Sequence, residues 1–336
     1  MDIVTKIIET LSNFPEGVPQ TYLAKALGIS KSYLSLVLRD LEKKGLVYRV
    51  RVGNLYIVKL VKIGSRFLSE GRVLRLGIVW SSEYLFLGYF AKMLKDKNDV
   101  ELKVSVYPNA LQVVLALLRG EVDTILSPLV TQVYGYILSK GLAIVGGGAG
   151  GGGYIYEIPD SRSDTIVSSE ISTMDFCRAL ALKRSYIETP TGGTKYFDSA
   201  QEAISIAKRG LARYLVIWHP INIDIENVGG RKIFECSEIE ELNYCCTLAV
   251  SRSLGFETIE KIANIYKESI ELFNKGKDKF IEWYSYIVGI DTAILRKALN
   301  EYTYNPELTP RQFNKIIDSL GLEVPTKNYI YRAIQI

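Results

Sequence analysis

The residues best suited to hold a small molecule sit at the ends of apolar runs. Trp80, Ser81 and Ser82 follow VLRLGIVW, Tyr107 closes ELKVSVY, and Ser127 and Pro128 close VDTILSP. Further on, Ser168 and Ser169 close TIVSS, Ser172 and Thr173 open the next segment, Thr189 and Thr191 precede Gly192 and Gly193, and Trp218 and His219 end YLVIWHP. The set is rich in hydroxyls and aromatics and nearly free of charge. Hydroxyls and helix N-terminal amides suit a small anion or a polar heterocycle, and Trp80, Tyr107 and Trp218 offer rings to a planar group. Each residue also has a plainer role. Serines and threonines at strand ends cap helices, tryptophans fill cores, Asp123 serves as a cap or hinge contact, and the single histidine, beside a proline, serves a turn.

Between these sets lies GGGAGGGG, residues 146–153. Bare backbone amides can cradle an anion, but the run lacks the Lys-Ser/Thr of a phosphate loop and the spacing of a dinucleotide fingerprint. The favoured reading is a hinge and cleft floor, with Gly147 and Gly148 against a ligand. So many glycines are expected to lie outside any helix or strand interior. The four cysteines (Cys177, Cys236, Cys245, Cys246) show no CxxC pair and no histidine at metal spacing. Adjacent Cys245 and Cys246 are poorly placed to bridge each other, and all four are expected as reduced, buried thiols. No Ser/His/Asp set or paired carboxylates stand out, so no enzyme, metal or cofactor is expected.

Basic chemistry concentrates at the start. Residues 1–72 hold 12 Lys/Arg against 6 Asp/Glu, whereas the remainder holds 29 against 31. A surplus of this kind belongs with a segment that meets phosphates. Val4, Ile7, Ile8 and Leu11 make an amphipathic stripe, broken by Pro15, Gly17 and Pro19. A second helix is expected over Gln20–Leu27 with Tyr22, Leu23, Ala26 and Leu27 inward, and Gly28 permits a tight turn. Ser30 then caps a third helix that buries Leu34, Val37, Leu38 and Leu41, and Gly45 ends it. Its other face offers Lys31, Ser32, Tyr33, Ser35, Arg39 and Lys43, short polar and basic groups of the kind that approach base edges. LVYRVRVGNLYIVKL then alternates about Gly53-Asn54 as a hairpin, with Arg49, Arg51 and Lys59 placed for a phosphate backbone.

After a short helix expected at 61–72, strands and helices alternate, which predicts a mainly parallel sheet. Strands are expected at 73–80, 101–107, 122–128, 142–147, 165–170, 185–190, 214–220, 232–237 and 243–252, and residues 256–320 are expected to be helical. The chain is therefore α/β, with an N-terminal winged helix-turn-helix over 1–62, a linker over 63–72 and a two-lobed domain over 73–336. Lobe 1 is expected over about 73–150 and 246–336, and lobe 2 over about 151–245.

The motifs T-x-x-x-L-A-x-x-L-G-I-S-x-S-x-L-S and L-E-K-K-G-L-V resemble winged-helix repressors of the MarR and Lrp/AsnC kind. That resemblance implies a homodimer on two symmetric half-sites of double-stranded DNA. L-R-L-G-I-V-W, A-L-L-R-G-E-V-D-T-I, S-S-E-I-S-T-M-D-F and A-K-R-G-L-A-R-Y-L-V-I-W-H-P resemble the type 2 periplasmic-binding-protein fold. The nearest flavour is the nitrate, sulfonate and thiamine-precursor group, in a domain order similar to LysR-type regulators but without their long linker helix. The resemblance implies a regulator that senses a small polar or anionic metabolite between the lobes. Two alternatives stand beside it. One is a thiamine-pyrimidine synthase, whose full cysteine cluster is absent here. The other is a constitutive DNA binder with an oligomerising domain. No signal-peptide pattern opens the sequence and no run is long enough to span a bilayer, so a cytoplasmic protein is expected. Few Met, one His, and many Ile, Lys, Glu and Tyr point to a thermophile.

Overall fold

Apolar residues every third or fourth position force the first sixty residues into three short helices that share one small core. The computed structural model describes residues 3–12, 14, 17–43, 46–52, 55–60, 72–242, 244–322 and 324–334. The head runs α1 (Ile3–Ser12), β1 (Val18–Pro19), α2 (Gln20–Leu27), α3 (Lys31–Lys43), β2 (Val47–Val52) and β3 (Leu55–Leu60). Ile7, Leu11, Leu23, Leu34, Leu38, Leu41, Val47 and Val58 are its buried centre. Gly28 ends α2 in the left-handed conformation, at φ +66°. The Ser30 hydroxyl caps α3 by accepting from the Tyr33 amide at 3.1 Å. Strands β2 and β3 pair from Val47↔Leu60 to Val52↔Leu55, which brackets the expected Gly53-Asn54 turn. That turn, Pro15, Gly45 and residues 61–71, which carry nearly all of the expected helix (61–72) and linker (63–72), lie outside the described residues. One expectation is corrected in α2: Tyr22 and Ala26 are exposed, and Leu23 and Ala24 face inward.

The first lobe alternates β4 (Arg72–Val79), α4 (Leu87–Asn98), β5 (Val100–Tyr107), α5 (Ala110–Leu118), β6 (Thr124–Pro128), α6 (Leu129–Ser139) and β7 (Leu142–Gly151). The chain then enters the second lobe through β8 (Gly153–Glu157), β9 (Ile166–Ser169), α7 (Thr173–Lys183), β10 (Thr194–Phe197), α8 (Ala200–Lys208), β11 (Tyr214–Trp218), α9 (Ile221–Asn227) and β12 (Arg231–Glu235). It returns by β13 (Cys246–Ser251), followed by α10 (Phe256–Lys275), α11 (Ile281–Val288), α12 (Thr292–Ala298), β14 (Tyr302–Asn305), α13 (Pro310–Leu320) and α14 (Lys327–Ile330). The sheets order as β14-β7-β13-β6-β4-β5 and β10-β9-β11-β8-β12. Strand β4 is parallel to β5 and β6, and the returning β13 inserts antiparallel between β6 and β7. The chain thus crosses between lobes twice, at Gly151–Gly153 and through residues 236–245, and the two crossings lie side by side.

The glycine run forms these crossings, and here the expectation fails. Residues 146–151 are strand, the second half of β7, and Gly153 begins β8. A side chain is excluded there by neighbours rather than by backbone angle. A Cβ on Gly148 would lie 2.0 Å from the Cys246 carbonyl oxygen, and one on Gly147 would lie 2.3 Å from that of Asn305. Only Gly151 and Gly152, at φ +96° and +64°, need glycine's conformational freedom, to turn the chain into lobe 2. Three other expectations are corrected. Residues 185–190 form no strand, since the neighbour of β9 at that edge is β10. The C-terminal region contains β14, which covers the outer edge of β7. Cys177 and Cys236 form a disulfide with Cα atoms 5.7 Å apart; 59 residues separate them in sequence, so spacing carried no sign that folding brings them together.

Gly148→Ala drives a methyl into the β13 backbone. It is expected to cost more than about 3 kcal/mol or to abolish soluble folding. Gly193→Ala, which meets nothing within 4 Å but keeps a positive φ, is expected to cost only about 1 kcal/mol. Denaturant melts of the two variants check the contrast.

Candidate functional site

Where the crossings meet the carboxyl end of the first-lobe sheet lies a small, partly open cavity. Lobe 1 lines it with Val79 at the end of β4, Ser81, Glu83 and Tyr84 after it, Ala110 of α5, Pro128 of β6, Gly151 of β7, and Tyr302 of β14. Lobe 2 brings Ser169, Ser172, Thr173 and Met174 around the start of α7 and Trp218 at the end of β11, and the return crossing adds Cys245 and Cys246. Its volume is about 30 Å³. That is room for one or two waters or an ion and an order of magnitude below the roughly 300–1,000 Å³ of a metabolite pocket.

The lobes are held together over this cavity by direct polar contacts. Trp218 Nε1–H donates to the Trp80 carbonyl at 3.0 Å, and Trp80 is itself anchored within lobe 1 by its Nε1–H, which donates to the Val288 carbonyl at 2.9 Å. His219 Nδ1 and Ser82 Oγ hydrogen-bond at 2.5 Å, and the His219 carbonyl accepts from Ser82 and Tyr302 at 3.0 and 3.1 Å. Thr131 Oγ1 donates to the Ile171 carbonyl at 2.6 Å and Asn109 Nδ2 to that of Asp198 at 3.0 Å. Burial pushes the His219 pKa below its ordinary value, against the raising pull of Glu301 and Glu226, so the ring is neutral near pH 7.

Of the residues expected to contact a ligand, Ser81, Pro128, Ser169, Ser172, Thr173 and Trp218 line the cavity. Ser172 accepts from the Met174 and Asp175 amides at the start of α7, so its capping and lining roles coincide. Ser82, His219 and Trp80 form the interlobe contacts instead of facing open space. Tyr107 packs over Gly77. Ser127 is tied to Gln132 in a buried network with Thr247, and Ser168 donates to the Ser169 carbonyl. Thr191 is exposed and bonded to Asp164. Gly147 is pressed between strands, and Gly148 borders a separate 460 Å³ depression beside Glu240, Glu241 and Lys315. That depression is larger, but β14, α13 and residues Glu240, Glu241 and Tyr244 build it, with nothing from the ends of β4, β6 or β11.

Sequence reasoning missed the carboxyl and thiol groups at the heart of the cavity. Glu83 is 4% exposed, its Oε1 has no hydrogen-bond partner, and its ligand-capable oxygen lies with the thiols of Cys245 and Cys246 within 4.8 Å of one another. An unpartnered buried oxygen of this kind costs about 1–3 kcal/mol. Burial, with the Cys245 charge next, pushes the Glu83 pKa well up. Cys246 is likewise pushed well up by burial, while Cys245 is drawn down by the Cys246 thiol beside it. Among the described residues no lysine or arginine lines the cavity. Among the described residues, these three form the cluster that could hold a metal.

On the head, α3 exposes Lys31, Ser32, Tyr33, Leu36, Arg39 and Lys43, with Ser35 half-buried. Arg51 is exposed on β2 and Lys59 is half-buried on β3. Arg49 behaves differently from the expected phosphate contact. Its guanidinium donates to both Glu42 oxygens at 2.8 and 2.6 Å and reaches Gln20 and Ser35 at 3.4 and 3.5 Å. That ties α2, α3 and β2 together, and the Glu42 hydrogen bonds raise its pKa further.

Residues 4–54 match the MarR family. No curated protein matches the sequence. The fold matches a ligand-binding component of an ABC-type import system from Staphylococcus aureus with zinc bound, at TM-score 0.64 and 15% identity over 74% of this chain and 91% of that one. The alkanesulfonate-binding protein SsuA from Xanthomonas axonopodis pv. citri, bound to MOPS, matches at 0.64 and 15%, over 80% and 99%. The periplasmic nitrate-binding protein NrtA from Synechocystis PCC 6803 matches at 0.64 and 8%, over 79% and 85%. The chain therefore joins a MarR-type helix-turn-helix region to a two-lobed periplasmic-binding-protein-like fold. No helix among the described residues is long and apolar enough to cross a membrane.

Because the His219 pKa is lowered on folding, its contribution to stability is present above the ordinary histidine value near 6.5. It is lost as pH falls through the lowered one. Thermal melts from pH 7.5 to 5 should show the native chain losing stability on acidification, and His219→Gln should show a shallower slope. Parallel slopes would remove His219 from the interlobe contact.

Proposed function

We propose that the chain is a ligand-responsive, DNA-binding transcriptional regulator. The observation that carries this is the joining of a MarR-type head to a fold whose two lobes line a cavity at their crossings. The head reads a double-stranded DNA operator as a homodimer, with the exposed face of α3 in the major groove and Arg51 and Lys59 along the phosphates. Its surplus of basic residues supports this placement. Residues 1–62 form the head, 63–72 the linker and 73–336 the sensor.

The effector is a small polar or anionic metabolite that enters when the lobes part. The cavity between closed lobes is too small for it. The Ser82–His219–Tyr302 and Trp80–Trp218 contacts are then the closed-state latch, and a ligand preferring one lobe arrangement shifts the population of both. An alkanesulfonate and nitrate in similar folds fit such a ligand class. The chain acts as a binding protein rather than an enzyme, in the cytoplasm where its DNA lies. The Cys177–Cys236 disulfide is compatible with that location in a thermophile, because intracellular proteins of hyperthermophiles carry disulfides.

The test is fluorescence anisotropy on a DNA element selected by the purified protein, with and without metabolites found bound by native mass spectrometry. Arg39→Ala is expected to weaken binding about 10-fold and lower the salt slope by about one, with thermal stability unchanged. Arg49→Ala is expected to destabilise the head by about 2 kcal/mol. DNA affinity indifferent to Arg39 would sink the docking. Affinity indifferent to every retained small molecule would favour a constitutive DNA binder.

A further inference from the structure

We propose that Glu83, Cys245 and Cys246 form a Zn²⁺ site at the floor of the interlobe cavity. Successive side chains of a strand point to opposite faces, so two adjacent cysteines in one strand would diverge. Here Cys245 stands just before β13 and Cys246 is its first residue, and both line the same cavity. Their sulfurs are 3.7 Å apart. Two thiolates bound tetrahedrally at about 2.3 Å from zinc are separated by about 3.8 Å, so the pair is already spaced as one edge of a zinc tetrahedron. Glu83 supplies the third corner from lobe 1, and its unpartnered Oε1 is the second, independent sign of a ligand.

The surroundings fix these donors as supporting groups fix metal ligands. The Tyr84 hydroxyl donates to Cys246 Sγ at 3.2 Å, the Glu83 amide donates to Ser81 Oγ at 3.1 Å, and Thr173 of lobe 2 holds the Cys245 carbonyl at 3.3 Å. Two sulfurs alone would suit monovalent copper; a hard carboxylate oxygen added to them selects zinc. Three protein ligands leave a fourth position, and the 30 Å³ of space there accepts a water or one donor atom of a bound molecule. The ion would clamp the return crossing to the loop after β4. The site stands apart from the regulatory reading, because its test measures metal and not DNA.

The full-length protein, in oxygen-free buffer without added thiol, is titrated with zinc against a chromophoric chelator. One zinc per chain is expected, with sub-micromolar affinity. Affinity should fall at least about 100-fold in C245S/C246S and about 10-fold in E83Q. X-ray absorption at the zinc edge of the unaltered protein should show two sulfurs at about 2.3 Å and an oxygen near about 2.0 Å, a readout that stands even where the double variant fails to fold. Absence of stoichiometric zinc, a shell of oxygen and nitrogen only, a sulfur-only shell, or unchanged affinity in C245S/C246S overturns the proposal.

Discussion

Close approach of backbones at the two lobe crossings is the constraint on which the molecule depends. Strand β7 runs between β13 and β14, and at Gly147 and Gly148 their carbonyl oxygens occupy the places where side chains would stand. Without that intimacy the returning strand could not lie between β6 and β7. Cys246 pairs with Ala149 of β7 and with Pro128 of β6, so the position of its thiol is set by strand register. The same crowding places Tyr302 of β14 against Gly152 and, through its hydroxyl, against the His219 carbonyl of the other lobe. Hinge, cavity and interlobe contact are consequences of one packing arrangement.

This explains a division of labour around the cavity. Hydroxyls and aromatic N–H groups at strand ends make hydrogen bonds between lobes, and each contact is worth about 1 kcal/mol net. A handful of them is enough to favour contact between the lobes. The acidic and sulfur-bearing groups lie beneath, out of reach of solvent, on segments whose positions the sheet controls. The MarR-type head is separate. It has its own core, where Arg49 serves as an internal tie while Arg39 and the N-terminal residues of α3 are exposed.

Much of the fold was legible in the order of residues. The 3.6-residue stripe of α3, the alternation of the hairpin and the apolar runs of β4, β6 and β11 each report local burial, and local burial has a period. The strand ends were likewise located, so six of the expected ligand residues do line the cavity. The glycine run was misread for a physical reason. Its composition is that of a loop when each residue is judged by its own propensity, but propensity yields where neighbouring strands leave no volume for a Cβ. Strand β14 was missed because YTYN is too short to show alternation and lies among helices.

The sequence by itself determined most of the helices and strands, the basic character of the head and the division into a helix-turn-helix part and an α/β part, because those follow from periodicity and charge along the chain. Tertiary structure alone decided which distant residues meet. Glu83 and Cys245 are joined across 162 positions, Cys177 and Cys236 across 59, and Ser82 and His219 across 137. No local pattern encodes such meetings. They arise when two sheets pack and a strand returns from one to the other, and the chemistry of the cavity is written in that packing.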